Sequence, residues 1–235
     1  MNLHVLYEDN HCIAVAKPPG VPSAHFDGVT ETVDRMVRDY LKAKYSKPGN
    51  VFLGVVHRLD KPVSGVLLFA RTSKAAARLS EQFRLGTVEK RYWAVVEGTV
   101  ASDAGTWEDW LAKEDSSPTA EIVRPGSAGG KCCRLHYRRL ADLAGRTALE
   151  IQLETGRRHQ IRVQAASRGH PILGDAKYGH PWGHTARIRD AIALHARSLE
   201  WEHPTLGTRI RLQCDFPEFW REQFAPLLAM MEENG

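Results

Sequence analysis

The apolar residues of this chain fall mostly in short runs bounded by turn-forming residues, which predicts many short strands. Runs at residues 5–7 and 13–16 predict two opening strands. Pro18 and Pro19 end the second, because proline cannot donate a ladder hydrogen bond. An uninterrupted apolar run at residues 65–70 fits a buried strand. Further strands are predicted at residues 92–96, 132–140, 146–154, 192–202 and 208–214.

Helical spacing of apolar residues appears in four other segments. In the first, Val33, Val37 and Leu41 share one face. The first predicted helix begins at residue 30, and the other three cover residues 73–85, 158–167 and 217–231. Residues 98–130 are rich in glycine and proline, which predicts hairpins and loops. Many strands with a few helices between them predict an α+β fold with a mixed, mostly antiparallel central sheet and flanking helices.

Length and composition narrow the class of protein. The chain has 235 residues, enough for one sizeable core. No run of about 20 apolar residues is present to span a membrane, and the first ten residues lack the basic start of a signal peptide. The four cysteines form no CxxC pair, which argues against a zinc ribbon and a disulfide framework. We therefore expect a protein of the reducing cytoplasm.

Charge is unevenly distributed although the net charge is only +4. Residues 97–121 contain seven acids and one lysine, whereas residues 124–168 contain ten lysines or arginines and three acids. A basic block of this kind predicts a surface that faces a polyanion. The alternative is a face that is merely solvated, and composition alone favours that alternative.

Two segments carry the strongest candidates for chemistry. Arg58 and Asp60 lie two residues apart in a loop that leads into the apolar run at residues 65–70. In the second segment, Arg158 and Arg162 crowd the first turns of a predicted helix, where the helix dipole is already positive. A phosphate or carboxylate nearby would relieve that repulsion. The alternatives are a surface ion pair in the first segment and cations pointing into water in the second.

Six motifs in order resemble those of one enzyme family, the RluA-type pseudouridine synthases. The two central motifs are HRLDxxxSGxxxxA at residues 57–70 and LxTGRxHQIR at residues 153–162. The others are KPxG at residues 17–20, KxYxAxVxG at 90–98, GHPIxGD with KYG at 169–179, and LHA followed by HP at 194–204. The resemblance implies a long mixed sheet with a central catalytic cleft, in a single catalytic domain over residues 1–235 without a separate N-terminal RNA-binding domain.

The resemblance also implies roles for particular residues. Asp60 matches the family's essential aspartate, Arg162 the basic residue that pairs with it, and Tyr92 the tyrosine that lies against the target uracil. Substrate contacts are expected from Lys17, His57, Arg58, Arg157, Arg158, His159 and Gln160. The expected partner is ribosomal or transfer RNA, acted on by a monomer. The reaction is an isomerisation without redox change, so no cofactor and no metal are expected.

Two positions depart from the family pattern, and three other functions stay open. Val63 stands where threonine is usual, and Gln164 stands where histidine is usual, which we expect to affect only a peripheral contact. The alternatives are a carboxylate-dependent N-glycosidase, a catalytically inactive RNA-binding module, and a metal-dependent hydrolase. The last of these would use His57, His159 and His170, whose spacing does not support it.

Overall fold

A computed structural model describes residues 3–25, 28, 31–112, 119–179 and 190–234. Eleven strands and four helices lie within these ranges. In chain order they are β1 (His4–Glu8), β2 (Cys12–Lys17), α1 (Val33–Lys44), β3 (Gly54–Val55), β4 (Ser64–Ala70), α2 (Ser73–Leu85), β5 (Glu89–Glu97), β6 (Ala104–Ala112), β7 (Glu121–Val123), β8 (Lys131–Leu143), β9 (Arg146–Leu153), α3 (Gln160–Ser167), β10 (Leu194–Glu202), β11 (Arg209–Gln213) and α4 (Glu218–Asn234). The predicted start of the first helix, residue 30, lies outside the described residues.

The chain divides into two compact units. The first comprises Met1–Lys90 and Ala196–Asp215, and the second comprises Arg91–His195 and Phe216–Gly235. All the strand pairs whose register is resolved are antiparallel. The predicted α+β class with a mostly antiparallel sheet is therefore confirmed. None of the helices described is long and apolar enough to cross a membrane.

In the first unit, the strand order is β1-β2-β4-β10-β11, with β3 beside β4. Every residue of β4 is buried, as its uninterrupted apolar run predicts. Its side chains pack with those of β2, β10 and α2 in a core that includes Leu68, Leu79 and Trp201. The β2–β4 register pairs Lys17 with Gly65. This pairing brings the KPxG segment beside the loop that carries Asp60.

Gly65 is required by close backbone approach. It has φ +122°, a conformation that other residues rarely adopt. A Cβ built on Gly65 would lie only 2.6 Å from the backbone nitrogen of Ala196. The glycine of the SG pair therefore allows β4 to pass close to β10 directly after the Asp60 loop.

In the second unit, the strand order is β5-β9-β8-β6-β7. Tyr92 on β5 pairs with Ile151 on β9, so the strand that carries a predicted site residue lies within this sheet. The start of α4 packs on Phe216, whose ring stacks on Trp220 with ring centroids 4.9 Å apart, and Trp220 meets Phe224 edge to face at 5.5 Å. The backbone of α4 kinks at Phe224, two residues before a proline inside the helix.

Candidate active site

The loop that carries Asp60 is held in place by a buried lysine. The Lys17 ammonium donates hydrogen bonds to the carbonyl oxygens of Pro18 (2.8 Å), Lys61 (3.0 Å) and Val63 (2.7 Å). The backbone N–H of Gly20 donates to the same Lys61 oxygen at 2.9 Å. Three acceptors occupy all three ammonium protons. These contacts favour a role for Lys17 in positioning the loop, and its predicted contact with substrate stays a prediction.

Burial has a large effect on the charge of Lys17. It is 2% exposed, and this burial lowers its pKa to about 7. The negative charge of Asp60 acts in the opposite direction and favours the protonated lysine. The side chain of Asp60 is half-buried, so part of it stays accessible.

His57 fixes the start of the same loop. Its Nε2 accepts a hydrogen bond from the backbone N–H of Leu68 at 2.9 Å, and its ring stacks on Phe83 with centroids 4.6 Å apart. Burial, with a smaller contribution from the Lys90 cation, lowers the pKa of His57 to about 3. His57 is therefore neutral near pH 7. These contacts favour a positioning role, whereas the neighbouring Arg58 is exposed.

In the second unit, Arg162 forms a buried ion pair with Asp175. The Arg162 Nε lies 2.6 Å from Asp175 Oδ2, and its Nη2 lies 2.8 Å from Asp175 Oδ1. The side chains of the two residues are 5% and 1% exposed. The Tyr178 ring stands 5.2 Å from the guanidinium carbon, within the range of a cation–π interaction. This arrangement fixes the plane of the guanidinium.

Sequence reasoning assigned no role to Asp175 or Tyr178, although both lie in the motif at residues 169–179. The Tyr178 hydroxyl lies 2.7 Å from His159 Nδ1 and accepts a hydrogen bond from the backbone N–H of Ala120 at 2.7 Å. The Asp175 carboxylate also accepts the backbone N–H of Lys177 at 3.1 Å. The sequence did contain one signal for Asp175: it is a carboxylate that belongs to the same set of family motifs as Arg162, an arginine already predicted to be functional.

The segment that leads into α3 separates inward from outward side chains. His159 is buried and adopts φ +55° at the N-cap, which turns the chain sharply. The Gln160 amide oxygen accepts the backbone N–H of Arg157 at 3.0 Å, and its nitrogen donates to the Arg134 carbonyl at 3.1 Å. In contrast, Arg157 and Arg158 are exposed. The two arginines are therefore better placed to contact a polyanion than His159 and Gln160.

Gln164, at the position where histidine is usual in the family, lies inside the second unit. It is fully buried, and its amide nitrogen donates to the Trp107 carbonyl at 3.2 Å and to Asp109 Oδ2 at 2.7 Å. Arg168 Nη1 lies 2.8 Å from the same Asp109 oxygen. Gln164 thus fastens α3 to β6 inside the second unit.

The basic block at residues 124–168 is extensively paired with carboxylates. Arg134 forms ion pairs with Glu108 and Glu154. Arg138 lies 3.3 Å from Glu150, and Arg139 pairs with Asp103 and Asp142. Glu108 and Asp103 come from the acidic segment at residues 97–121, which the β6–β8 pairing brings opposite the block. The expected RNA surface on this block stays a prediction, and these pairings reduce the charge that it has to offer.

Comparison with known proteins identifies the family. The family model described as RNA pseudouridylate synthase matches residues 11–167. The chain belongs to this family. A protein of Bacillus subtilis (strain 168) named uncharacterized RNA pseudouridine synthase YhcT is 34% identical over 219 residues, which cover 92% of this chain and 69% of the relative. The ribosomal large subunit pseudouridine synthase D of Xanthomonas campestris pv. campestris is 38% identical over 229 residues, which cover 92% of this chain and 66% of the relative.

These matches confirm the resemblance to RluA-type enzymes, and the chain is an isomerase that makes pseudouridine in RNA. The solved structure of human RNA pseudouridylate synthase domain containing 4 superposes with a TM-score of 0.77 at 23% identity, over 97% of this chain and 93% of that chain. At that identity the superposition shows the fold alone. The chain spans about two thirds of the length of the two curated relatives.

Proposed function

We propose that Asp60 is the catalytic carboxylate of this pseudouridine synthase, with Tyr92 and Arg162 as its catalytic partners. The observation that carries the proposal is the construction of the Asp60 loop. A half-exposed carboxylate stands in a segment whose carbonyls are held by the buried Lys17 ammonium. Fixing a reactive group on such a scaffold is how an active site limits the reorganisation that the reaction requires.

One ionised carboxylate is the minimum that the reaction needs. The bond between ribose and the uracil nitrogen breaks, the base turns, and a new bond forms from ribose to a ring carbon. The proton on that carbon then leaves, and the freed nitrogen takes up a proton, so no group or electron is gained overall. A carboxylate can act as nucleophile or stabilise the positive charge that develops on the sugar. Lys17 supports this role because its ammonium holds the carbonyl oxygens of Lys61 and Val63 in the loop that carries Asp60.

The partner roles follow from the family resemblance. The resemblance implies that Arg162 pairs with Asp60, and the orientation of the Arg162 guanidinium is fixed by Asp175. Tyr92, half-buried on β5, offers a flat face to the uracil and a phenol that can take part in proton removal. Arg58 helps to hold the flipped nucleotide, since the target uridine must leave its stack before it can react.

We further propose that the RNA is contacted through Arg58, Arg157 and Arg158, the three predicted contacts that are exposed. Lys17, His57, His159 and Gln160 are not included, because none of them is exposed and each hydrogen-bonds protein groups. The proposed substrate is large-subunit ribosomal RNA, which is supported by the names of the relatives, with transfer RNA as the alternative. The enzyme acts as a monomer in the cytoplasm under this proposal.

The test combines a point variant with a map of pseudouridine. Asp60→Asn keeps the shape of the side chain and removes its charge, so it should abolish pseudouridine formation and leave the fold and RNA affinity intact. Asp39→Asn, which removes an exposed carboxylate on α1, is the matched control and should stay fully active. Turnover of Asp60→Asn above a few per cent of wild type would contradict the assignment.

Mapping pseudouridine in ribosomal and transfer RNA from cells with and without the gene identifies the substrate. Loss of one or more sites in large-subunit ribosomal RNA is the expected result, and loss only in transfer RNA would redirect the proposal. Release of free uracil from an intact substrate would instead indicate the N-glycosidase.

A further inference from the structure

A second buried side chain grips the Asp60 loop, and no motif of the sequence pointed to it. Ser23 is 3% exposed. Its hydroxyl donates a hydrogen bond to the carbonyl oxygen of Leu59 at 2.7 Å and accepts one from the N–H of the same residue at 2.9 Å. A single hydroxyl thus satisfies both backbone groups of the residue directly before Asp60. Leu59 is itself 6% exposed, so water is not a ready substitute for either bond.

Ser23 is in turn fixed by the start of α1. The backbone N–H of Asp34 donates to the Ser23 carbonyl at 3.2 Å, and the N–H of Val33 donates to the Pro22 carbonyl at 2.9 Å. The hydroxyl is therefore attached to a helix terminus rather than to a free loop. The chain of contacts runs from α1 through Ser23 to Leu59 and ends one residue before Asp60.

The far side of Asp60 is anchored to the same short segment. Lys61 is held through its carbonyl by Gly20 and Lys17, and the N–H of Val63 donates to the Asp60 carbonyl at 3.0 Å. The residues on both sides of Asp60 are thus bound to residues 17–23. Without the Ser23 hydroxyl, Lys61 after Asp60 would still be held, whereas Leu59 before Asp60 would lose both of its hydrogen bonds to Ser23.

We propose that Ser23 is a positioning residue that fixes the Asp60 carboxylate for the isomerisation of uridine. The proposal rests on the proposed catalytic role of Asp60. A serine hydroxyl carries no charge and does not reach substrate from this buried place, so its effect on catalysis passes through the Leu59 backbone. Misplacing a reactive group by about 1 Å can reduce turnover by about 100-fold. The effect should therefore appear in kcat and not in RNA binding.

The experiment compares Ser23→Ala with Ser23→Thr by steady-state kinetics on a substrate RNA, at a temperature at which each variant is folded. For Ser23→Ala we expect kcat to fall about 100-fold, with KM and the Kd for RNA within about twofold of wild type. Ser23→Thr keeps the hydroxyl and should recover most of the lost kcat. This separation of kcat from KM, together with rescue by a hydroxyl, is not expected from a change of stability alone.

Thr147→Val is the matched control. Thr147 is also fully buried. Its hydroxyl accepts the Val100 N–H at 3.0 Å and lies within hydrogen-bond distance of two acceptors, the Gly98 carbonyl at 2.8 Å and Asp142 Oδ1 at 2.5 Å. It grips a loop that contains none of the predicted site residues. Thr147→Val should lower the melting temperature and leave kcat near wild type. If Ser23→Ala behaves in the same way, Ser23 is only structural and the proposal is wrong.

Two further measurements separate the possible failures. Asp60→Asn is assayed in parallel: if it is inactive while Ser23→Ala keeps wild-type kcat, the positioning proposal fails and the proposed function stands. If Asp60→Asn is active, the proposed function fails first. Should Ser23→Ala not fold, Ser23→Cys replaces it, because the slightly larger thiol still fills the place of the hydroxyl but forms weaker hydrogen bonds. A folded Ser23→Cys enzyme with wild-type kcat would overturn the proposal, and a reduced kcat at unchanged KM would support it.

Discussion

Replacing Asp175 with asparagine tests whether the buried ion pair holds the second unit together. The substitution keeps the size of the side chain and one of its oxygens, and it removes the charge that faces Arg162. Both side chains are almost completely buried, at 5% and 1% exposure. The guanidinium would therefore stay in a buried place with no compensation from this carboxylate, which is the costly outcome for a buried pair.

The magnitude follows from burial and geometry. Removing one member of a buried ion pair costs about 3–5 kcal/mol of stability. Asparagine can still accept one of the two Arg162 hydrogen bonds, so we expect about 3 kcal/mol, the lower end of that range. For a protein of this length, each 1 kcal/mol lowers the melting temperature by roughly 2–4 °C, which predicts a decrease of roughly 6–12 °C.

Urea unfolding followed by tryptophan fluorescence measures the loss, and an exposed pair supplies the control. Arg84 and Glu81 on α2 also meet through two hydrogen bonds, one of them 2.9 Å from Nε to Oε2, but their side chains are 68% and 50% exposed. Glu81→Gln should leave the urea midpoint unchanged, because exposed pairs contribute little. If Asp175→Asn shifts the urea midpoint no more than Glu81→Gln does, the buried Arg162–Asp175 pair contributes no more to the stability than an exposed pair, and the reasoning is wrong.

Two predictions concern the lysine of the loop and the RNA surface. The pKa of Lys17 is about 7 in the folded protein, against 10.5 for an ordinary lysine side chain. The unfolded chain therefore binds more protons between these two values, and the free energy of unfolding should rise with pH across that window. Lys17→Met should flatten this rise in pH-dependent urea titrations, and an unchanged rise would contradict the assignment. Replacing Arg157 and Arg158 with alanine should lower the slope of log affinity against log salt by about two. Replacing Arg134 and Arg138, whose charges are paired with carboxylates, should lower it less, and an equal decrease would mean that those pairs open to RNA.

Local periodicity correctly predicts those helices and strands whose structure is determined by residues nearby in the sequence. The predicted helix at residues 73–85 coincides with α2, which has a threonine cap at its start and Gly86 in the left-handed conformation at its end. The predicted start of the third helix at residue 158 is two residues early. His159 there has φ +55°, so the helix begins at Gln160. A single left-handed residue is a backbone property that apolar spacing does not reveal.

Residues 98–130 show the limit of local prediction more clearly. The glycines and prolines predict hairpins and loops. The structure pairs β6 antiparallel with β7 in this segment, but the nine-residue extent of β6 was not predicted. Along β6 the buried residues are Trp107 and Leu111, with the polar Glu108 and Asp109 between them, so strict alternation is missing. The strand is held by its pairing with β8, whose partner residues lie 20 to 34 positions away in sequence. Such a partner is invisible to a local pattern.

The same long-range pairing changes the interpretation of the charges. The β6–β8 register sets Glu108 opposite Arg134, two residues that contribute to opposite charge blocks in the sequence. A count of charges along the chain therefore separates groups that the sheet brings together. Burial is equally hidden from the sequence. Gln164 is an uncharged polar residue, and nothing in its local sequence shows that it is buried where α3 packs on β6.

The motifs identified the family, and a motif residue can hold the backbone of a loop as well as take part in the reaction. Lys17 and His57 have side chains that commonly bind RNA, and from sequence both were expected to do so. In the structure, each satisfies backbone groups next to Asp60 or at the strand that follows it. A loop that leaves one carboxylate accessible needs donors and acceptors for its own backbone. Ser23, outside every motif, meets the same need, which is why backbone satisfaction rather than residue type separates positioning residues from reacting ones.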